Sequence, residues 1–196
     1  LPEGYVDVDV VQPIHSHGPS LGSIVYPPKP GSIYHMTKVL DAQMFQFYAK
    51  NDLLKITDLH QGIVWGTQTN ETQADPMLIN RFDYDGDYGT VFNRFLVQAA
   101  LGYPLTVHGS GGQTRAFIHI SNTVDCVLLA VENPPARGDR PLIYNQMTET
   151  YRVLDLAQMI AKKTGVRINH VDNPRKEAAA NELAVTNDGL RGLGMH

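Results

Sequence analysis

The sequence predicts an α/β fold. Residues 90–101 and 153–163 have the apolar spacing of helices, and each segment is closely followed by a glycine. Short apolar runs at residues 105–108 and 115–120 are typical of strands. Because such segments alternate along the chain and no internal repeat interrupts them, strands and helices are expected to pack as layers of one α/β domain.

The first part of the chain is predicted to change from extended structure to a helix at Ser32. Residues 5–10 alternate apolar and acidic side chains, and the prolines that follow cannot lie within a helix, so residues 1–33 are expected to form strand and turn. The Ser32 side chain can accept a hydrogen bond from the first turn of a helix that continues to about residue 51. A strand is then expected at residues 53–59.

The remaining segments are predicted from polarity and glycine content. Residues 67–87 are polar and rich in acidic side chains, so they are expected to form an irregular surface lid. The Gly-Ser-Gly-Gly segment at 109–112 lies between two predicted strands and is interpreted as a hairpin turn. An apolar helix is expected at 121–133, and further strands are expected at 142–145 and 166–171.

Composition and charge argue against several classes of protein. The 196 residues are 42% apolar and 18% charged with a net charge of -4, which is typical of a globular domain. No basic run indicates a nucleic-acid partner, and no apolar run reaches membrane-spanning length. Cys126 is the single cysteine, which suits a reducing compartment and a cytoplasmic protein. His15 and His17 lack partners at ligand spacing, so no metal is expected.

Tyr34 and Lys38 are the most informative pair of residues. They stand where the proline-rich segment gives way to the predicted helix, and a spacing of four residues puts both side chains on one helical face. A neighbouring ammonium favours the phenolate form of a tyrosine, so the pair can supply a proton acceptor near neutral pH. The same spacing also suits two exposed surface residues, and both interpretations stay open at this point.

Two arginines and one glycine-rich turn bear on phosphate binding. Arg115 and Arg175 come from distant segments and could clamp a diphosphate, because guanidinium groups pair with phosphate oxygens. Taken singly, each arginine also suits ordinary surface charge. The turn at 109–112 is not the Gly-x-Gly-x-x-Gly turn of a dinucleotide-binding domain, since that turn joins a strand to a helix. No other segment offers this fingerprint.

Three segments follow one another in a characteristic order: Tyr34-x-x-x-Lys38, residues 102–109 and residues 112–120. In this order they resemble the latter half of the extended short-chain dehydrogenase/reductases, which modify nucleotide-activated sugars with bound NAD. A narrower similarity links the chain to the subfamily that makes UDP-sulfoquinovose from UDP-glucose and sulfite. It rests on Tyr34-His35 and on residues 57–62, 80–85, 93–95, 97–100, 111–115, 145–146 and 173–175.

The resemblance implies roles for four residues around the reacting sugar and the cofactor. Tyr34 would be the catalytic base that takes the proton of the 4-hydroxyl while a hydride passes to NAD. Lys38 would hold the nicotinamide ribose and assist the ionisation of Tyr34. His35 matches a histidine that handles protons during elimination or sulfite addition. Gln61 would lie at the end of the strand that approaches the nicotinamide, so Tyr34, Lys38 and Gln61 are the expected cofactor contacts.

Five further residues are assigned by the resemblance to the UDP-sugar substrate. Thr106 and His108 lie on the strand whose backbone meets the uracil, although the subfamily more often has a tyrosine where this chain has His108. Arg115 and Arg175 match the diphosphate clamp, and Glu177 is a candidate partner of the ribose. The implied reaction is oxidation at carbon 4, loss of water across carbons 5 and 6, addition of sulfite at carbon 6, and return of the hydride.

The resemblance also implies how the chain is organised. Residues 1–66 would be the end of a Rossmann-like NAD-binding domain, and residues 67–196 would mainly form the sugar-nucleotide-binding region, with some segments returning to the main sheet. The main NAD-binding motif would then lie outside this chain. The expected fold is therefore a partial Rossmann-like fold that lacks the N-terminal dinucleotide-binding half, together with the small C-terminal substrate-binding α/β subdomain.

Other functions and an oligomeric form also follow from the resemblance. The alternative activities are a nucleotide-sugar 4-epimerase or a 4,6-dehydratase. As a separate chain the protein would be inactive, which allows a non-catalytic fragment that binds a sugar nucleotide. Dimerisation through the tyrosine-bearing helix is compatible with the apolar residues Phe45, Phe47 and Tyr48, although packing in a core explains them equally well.

Overall fold

The computed structural model describes residues 30–79, 81–85, 88–174, 179–181 and 183–196. The helices are α1 Ile33–Asn51, α2 Asn70–Ala74, α3 Val91–Ala100, α4 Ile120–Glu132, α5 Val153–Thr164 and α6 Asp188–Gly192, with one 3₁₀ helix at Pro76–Leu78. The strands are β1 Thr57–Gln61, β2 Ile63–Trp65, β3 Leu105–His108, β4 Gly112–His119, β5 Leu142–Gln146, β6 Glu149–Arg152, β7 Ile168–Val171 and β8 Ala180–Asn181. This alternation confirms the predicted mixed α/β class.

The described residues divide into two compact units. The larger unit comprises residues 59–133 and 144–196, and the smaller unit comprises residues 30–58 and 134–143, apart from the gaps given above. Strands β1 and β5 pair with each other, and both begin in the smaller unit and end in the larger one. Within the described part of the chain, no helix combines the length and the apolar character that crossing a bilayer requires.

The main sheet of the larger unit is built around β4. Strand β2 runs parallel to β4 with Ile63 opposite Phe117, and β6 runs antiparallel to it with Tyr151 opposite Arg115. Strand β8 pairs in parallel with the first residues of β4. The sequence did not predict β6 or β8, because β6 lacks an apolar run and β8 is only two residues long.

The glycine turn at 109–112 is not a hairpin, so that prediction is wrong. Strand β3 pairs in parallel with β7, with Leu105 opposite Ile168, whereas β4 pairs with β2, β6 and β8. Gly111 has a φ of +71°, and a Cβ atom there would lie 2.7 Å from Cγ1 of Val107. The local sequence specified a tight turn, but the strand partners on either side are set by packing further along the chain.

The two faces of β4 contact different buried clusters, because successive strand residues point to opposite sides of a sheet. Phe117 belongs to a cluster with Phe95 of α3 and Leu156 of α5. Its neighbour Ile118 belongs to a second cluster with Cys126 of α4, together with residues of the C-terminal segment. Helices therefore cover both faces of the main sheet, and α3 and α5 lie on the same face.

The predicted helices of the larger unit are confirmed at α3, α4 and α5. The Thr90 hydroxyl caps α3 by accepting a hydrogen bond from the backbone N–H of Asn93 at 3.4 Å. Helix α5 ends at Gly165, whose φ of +77° lies in the left-handed region. The segment expected to be an irregular lid contains the short helix α2, which begins with a reciprocal capping box between Thr69 and Thr72.

The smaller unit is dominated by α1. The Ser32 hydroxyl accepts a hydrogen bond from the backbone N–H of His35 at 3.0 Å, as the sequence predicted. The helix ends before Leu53, whose φ of +54° is left-handed. The strand expected at 53–59 instead begins at Thr57 and runs to Gln61. Residues 53–56, which start with this left-handed turn, lie outside the strand.

Candidate functional site

A cleft of about 290 Å³ opens within the larger unit. The described residues that line it come from β2, the amino end of α3, β3, β4, the start of α5 and the segment after β7. They are Ile63, Gly89, Thr90, Val91, Arg94, His108, Gln113, Arg115, Val153, Asn173 and Pro174. Two of the residues assigned to the UDP-sugar from sequence, His108 and Arg115, therefore share one cavity.

Arg115 is held in the cleft by its own strand and by β8. Its Nη1 donates to the backbone carbonyl of Thr114 at 3.1 Å and to Oδ1 of Asn181 at 3.3 Å. The same Asn181 oxygen also accepts from the backbone N–H of Thr114 at 3.2 Å. Sequence reasoning missed Asn181 because the contact depends on the pairing of β8 with β4, which no local pattern indicates.

His108 and Thr106 lie on β3 but have different surroundings. His108 ends the strand and lines the cleft, where it stands opposite Val171 of β7. Thr106 is engaged with α3: its backbone N–H donates to Oε1 of Gln98 at 3.0 Å, and its hydroxyl accepts from Nε2 of Gln98 at 2.8 Å. The expected contact of the β3 backbone with uracil stays a prediction.

Arg94 is a cleft residue that the sequence analysis did not select. It lies in α3 between two buried residues, Asn93 and Phe95, and reaches the same cavity as Arg115. Its Nη2 donates to the backbone carbonyl of Thr106 at 3.4 Å. Arg94 is the single charged residue of α3, and this was the available signal.

The cleft has the features of an anion-binding site. Among the described residues that line it, the charged side chains of Arg94 and Arg115 are both cationic. Thr90 and Val91 place the amino end of the ten-residue helix α3 at the cavity, where backbone N–H groups without helical partners favour a negative charge. Guanidinium forks match phosphate oxygens in pairs, so the cleft suits a phosphorylated ligand.

In the smaller unit, the Tyr34–Lys38 pair has the predicted common orientation. Nζ of Lys38 stands 5.7 Å from the centroid of the Tyr34 ring, and Tyr34 is 73% exposed. Lys38 also donates to Oδ2 of Asp41 at 3.0 Å. This hydrogen bond and the charge of Asp41 raise the pKa of Lys38 above its ordinary value. His35 is exposed in the same first turn, and its catalytic role stays a prediction.

Gln61 is fixed at the end of β1. Its Nε2 donates to Oε1 of Gln146 at 3.2 Å, and Gln146 itself is buried and donates to the backbone carbonyl of Thr123 at 3.0 Å. Its assignment as a cofactor contact remains a prediction. Arg175 and Glu177, the other two residues assigned to the substrate, lie outside the described residues. Asn173 and Pro174, which precede them, line the cleft.

The family of the chain follows from comparison with known proteins. The family model described as "NAD dependent epimerase/dehydratase family" matches residues 16–145. This range is more than half of the chain, so the protein belongs to the NAD-dependent epimerase/dehydratase family, a family of enzymes. The resemblance inferred from the sequence is thereby confirmed at the level of the family.

Two curated relatives are UDP-sulfoquinovose synthases. The chloroplastic UDP-sulfoquinovose synthase of Spinacia oleracea is 40% identical over 200 residues, which cover 100% of this chain and 40% of the spinach protein. The UDP-sulfoquinovose synthase of Sulfolobus acidocaldarius is 40% identical over 179 residues, which cover 88% of this chain and 45% of that protein. The chain thus spans less than half the length of either relative.

Solved structures of epimerases share the fold. The UDP-glucuronic acid 4-epimerase of Bacillus cereus, solved in complex with UDP-glucuronic acid and NAD, matches with a TM-score of 0.62 and 23% identity. The match covers 90% of this chain and 51% of the epimerase. The α/β architecture described above is therefore similar to that of about half of the epimerase chain.

Proposed function

We propose that the full-length protein is an NAD-dependent enzyme that converts UDP-glucose and sulfite into UDP-sulfoquinovose. The observation that carries this proposal is the cleft of the larger unit, where Arg94, Arg115 and the amino end of α3 favour a phosphorylated ligand. The choice of UDP-sulfoquinovose as product is supported by 40% identity to two UDP-sulfoquinovose synthases over 100% and 88% of the chain.

In this proposal the chain supplies the latter part of an extended short-chain dehydrogenase/reductase. Residues 1–66 complete the Rossmann-like NAD-binding domain, and residues 67–196 mainly form the region that binds the sugar nucleotide. The pyrophosphate of the cofactor is bound by sequence beyond this chain, because no strand–Gly-x-Gly-x-x-Gly–helix segment occurs among its 196 residues. In this proposal Tyr34 and Lys38 bind the ribose and nicotinamide end of the cofactor, and support comes from the exposure of Tyr34 and the position of Lys38 beside its ring.

In this proposal, residues of α1 carry out the proton transfers. Bound NAD supplies the hydride acceptor for carbon 4 and the hydride donor for the last step. Tyr34 takes the proton of the 4-hydroxyl as carbon 4 is oxidised and returns it when carbon 4 is reduced. Lys38 stabilises the phenolate by its charge and binds the ribose hydroxyls, and His35 moves protons during the intermediate steps.

The overall reaction balances without an external oxidant. The 4-keto group acidifies the proton on carbon 5, which allows loss of that proton and of the 6-hydroxyl as water. The sulfur of sulfite then forms a bond to carbon 6, and a proton returns to carbon 5. The final hydride transfer restores the 4-hydroxyl, so that UDP-glucose and sulfite give UDP-sulfoquinovose and water, with the cofactor regenerated.

The substrate would be held mainly by the larger unit. Arg115, together with Arg175, binds the diphosphate, and His108 lies against the uracil beside the β3 backbone at Thr106. Glu177 contacts the ribose. The fixed position of Arg115, held by Asn181 and by the Thr114 carbonyl, supports this arrangement because a pre-positioned fork loses less entropy on binding.

A second candidate function applies to the chain by itself. We propose that the 196 residues alone bind a sugar nucleotide without turnover. The cleft lies wholly within the larger unit, whereas the dinucleotide fingerprint is missing from the sequence. Calorimetry of this chain with UDP-glucose and with NAD tests the proposal: we expect heat of binding with UDP-glucose alone, and tight binding of NAD would contradict it.

The catalytic proposal is tested with the full-length protein, UDP-glucose, NAD and sulfite, with the product analysed by mass spectrometry. We expect a product that contains sulfur, and the Tyr34→Phe variant is expected to lose at least about a hundredfold in kcat. Tyr48→Phe removes the hydroxyl of another exposed tyrosine of α1 and serves as the matched control. A 4-epimer or a 6-deoxy-4-keto product without sulfur would replace this proposal by an epimerase or a dehydratase.

A further inference from the structure

Arg94 lines the cleft from α3 and donates a hydrogen bond to the backbone carbonyl of Thr106 in β3. It lies in α3 four residues before Gln98, so both side chains leave the same face of the helix. Gln98 holds Thr106 of β3 by two hydrogen bonds, and Arg94 donates to the carbonyl of that same residue. Two side chains of helix α3 are therefore hydrogen-bonded to one residue of β3.

This anchoring fixes the guanidinium of Arg94 before any ligand binds. Besides the Thr106 carbonyl, the side chain is near the ring of Phe95, with Cζ 5.7 Å from the ring centroid. Phe95 is fully buried and belongs to the core of the larger unit. The contacts with Thr106 and Phe95 thus hold the Arg94 side chain at the wall of the cleft that it lines.

Arg94 and Arg115 reach the same cavity from different elements. Arg94 comes from α3 and Arg115 from β4, and their anchors, Thr106 and Asn181, are also different. A monophosphate can satisfy one fork, whereas two adjacent phosphates can engage two separate forks at the same time. Two independently anchored cations in one cleft thus match a diphosphate better than a single phosphate.

Resting on the proposed function, we propose that Arg94 is a specificity-determining residue that contacts the diphosphate of the nucleotide sugar. Its contact makes the cleft select nucleoside diphosphates over nucleoside monophosphates. Arg94 contributes charge and a planar fork, Thr106 positions that fork through its carbonyl, and Gln98 acts on Arg94 only through Thr106. In this inference the charge and fork of Arg94 act on the diphosphate, so binding of the uncharged nucleoside should depend on Arg94 far less than binding of the nucleoside diphosphate does.

The test is calorimetry on the full-length protein with UDP, UMP and uridine as separate probes. We expect Arg94→Gln to weaken UDP binding by about ten- to a hundredfold, to weaken UMP binding less, and to change uridine binding by less than about twofold. Arg94→Lys, which keeps the charge but loses the fork, should recover part of the affinity for UDP. Arg191→Gln, a change to an exposed arginine of α6 on the opposite face of the main sheet, is the control.

Four results would overturn the inference. Equal affinity of Arg94→Gln and the wild type for UDP would show that Arg94 does not contact the diphosphate. Equal losses for UDP and uridine would show a structural role through Thr106. If Arg94→Gln does not unfold cooperatively, the UDP-to-UMP affinity ratio of Arg94→Lys decides, and a ratio equal to that of the wild type would contradict the inference. A wild-type protein that binds no UDP would instead refute the proposed function and this inference with it.

Discussion

Gln98 of α3 and Thr106 of β3 hold each other by two hydrogen bonds, one of 3.0 Å through the Thr106 backbone N–H and one of 2.8 Å through its hydroxyl. Both side chains are partly buried. Replacing Gln98 by leucine removes the amide and so leaves the backbone N–H and the hydroxyl of Thr106 without these partners. We expect Gln98→Leu to lower the free energy of unfolding by about 1–3 kcal/mol, measured by urea denaturation.

The matched control for this change is Gln73→Leu. Gln73 is an exposed glutamine of α2, and its substitution should alter the free energy of unfolding by less than about 0.5 kcal/mol. If Gln98→Leu were as stable as the wild type, the two hydrogen bonds between Gln98 and Thr106 would contribute nothing measurable to stability.

The pKa of Lys38 should depend on Asp41. The Asp41 carboxylate raises the pKa of Lys38, so the ammonium stays charged to a higher pH than an isolated lysine. The contribution of this pair to stability is therefore present at neutral pH and is lost as the pH rises through the raised pKa. We expect Asp41→Asn to move the pKa of Lys38 down toward 10.5, as followed by NMR titration of the side chain.

Asp52→Asn is the matched control on the same helix. It removes an equal charge at the C-terminal cap of α1 and should leave the titration of Lys38 unchanged. If the two variants gave the same titration curve for Lys38, the pairing with Asp41 would not control its charge.

Gly111 and Gly102 should respond differently to substitution by alanine. Both have a left-handed φ, +71° and +68°, but a Cβ at Gly111 would meet Cγ1 of Val107 at 2.7 Å, whereas one at Gly102 meets nothing within 4 Å. We expect Gly102→Ala to cost about 1 kcal/mol of backbone strain. Gly111→Ala should cost about 2–4 kcal/mol, because overpacking adds to that strain.

Urea denaturation of both glycine variants separates the two causes. The difference between the losses in free energy of unfolding of Gly111→Ala and Gly102→Ala measures the cost of steric overlap in the turn between β3 and β4. The cost of the left-handed φ is common to both variants. Equal costs would mean that Val107 and Leu154 move aside freely, in conflict with a tightly packed turn.

Cys126 should be unreactive in the folded protein. Burial, reinforced by the charge of Asp125, raises the pKa of this thiol from 9.0 to about 11. At pH 8 the thiolate fraction is then about a hundredfold smaller than for an unperturbed thiol, so an aromatic disulfide reagent should react only after unfolding in urea. Since the unfolded thiol ionises first, stability should also fall as the pH rises from about 9 toward 11.

The decisive measurement is the labelling rate of the native protein without denaturant. Cys126 is the single cysteine of the chain, so all labelling reports on this residue. Cys126→Ala gives the reagent blank. Rapid labelling of the native protein would contradict the burial of Cys126 against Met195 in the second core cluster.

Local patterns were sufficient where the physical cause is local. Apolar spacing and a glycine stop located α3 and α5, and the capping hydroxyl of Ser32 located the start of α1. The strand predicted at 53–59 was misplaced because Leu53 takes a left-handed conformation, which β-propensity does not reveal. The hairpin interpretation failed because the pairing of β3 with β7 is made by residues about sixty positions apart.

By itself, the sequence determined the α/β class and the common face of Tyr34 and Lys38, since both follow from the spacing of residues along a short stretch of chain. The family was indicated by the resemblance of longer motifs and confirmed by the family model that matches residues 16–145. The tertiary structure decided which side chains share a cavity. His108, Arg115 and the unforeseen Arg94 meet only because β3, β4 and α3 pack around one core. The side chains that fix them, Gln98 and Asn181, act across elements, and no periodic pattern encodes contacts of that kind.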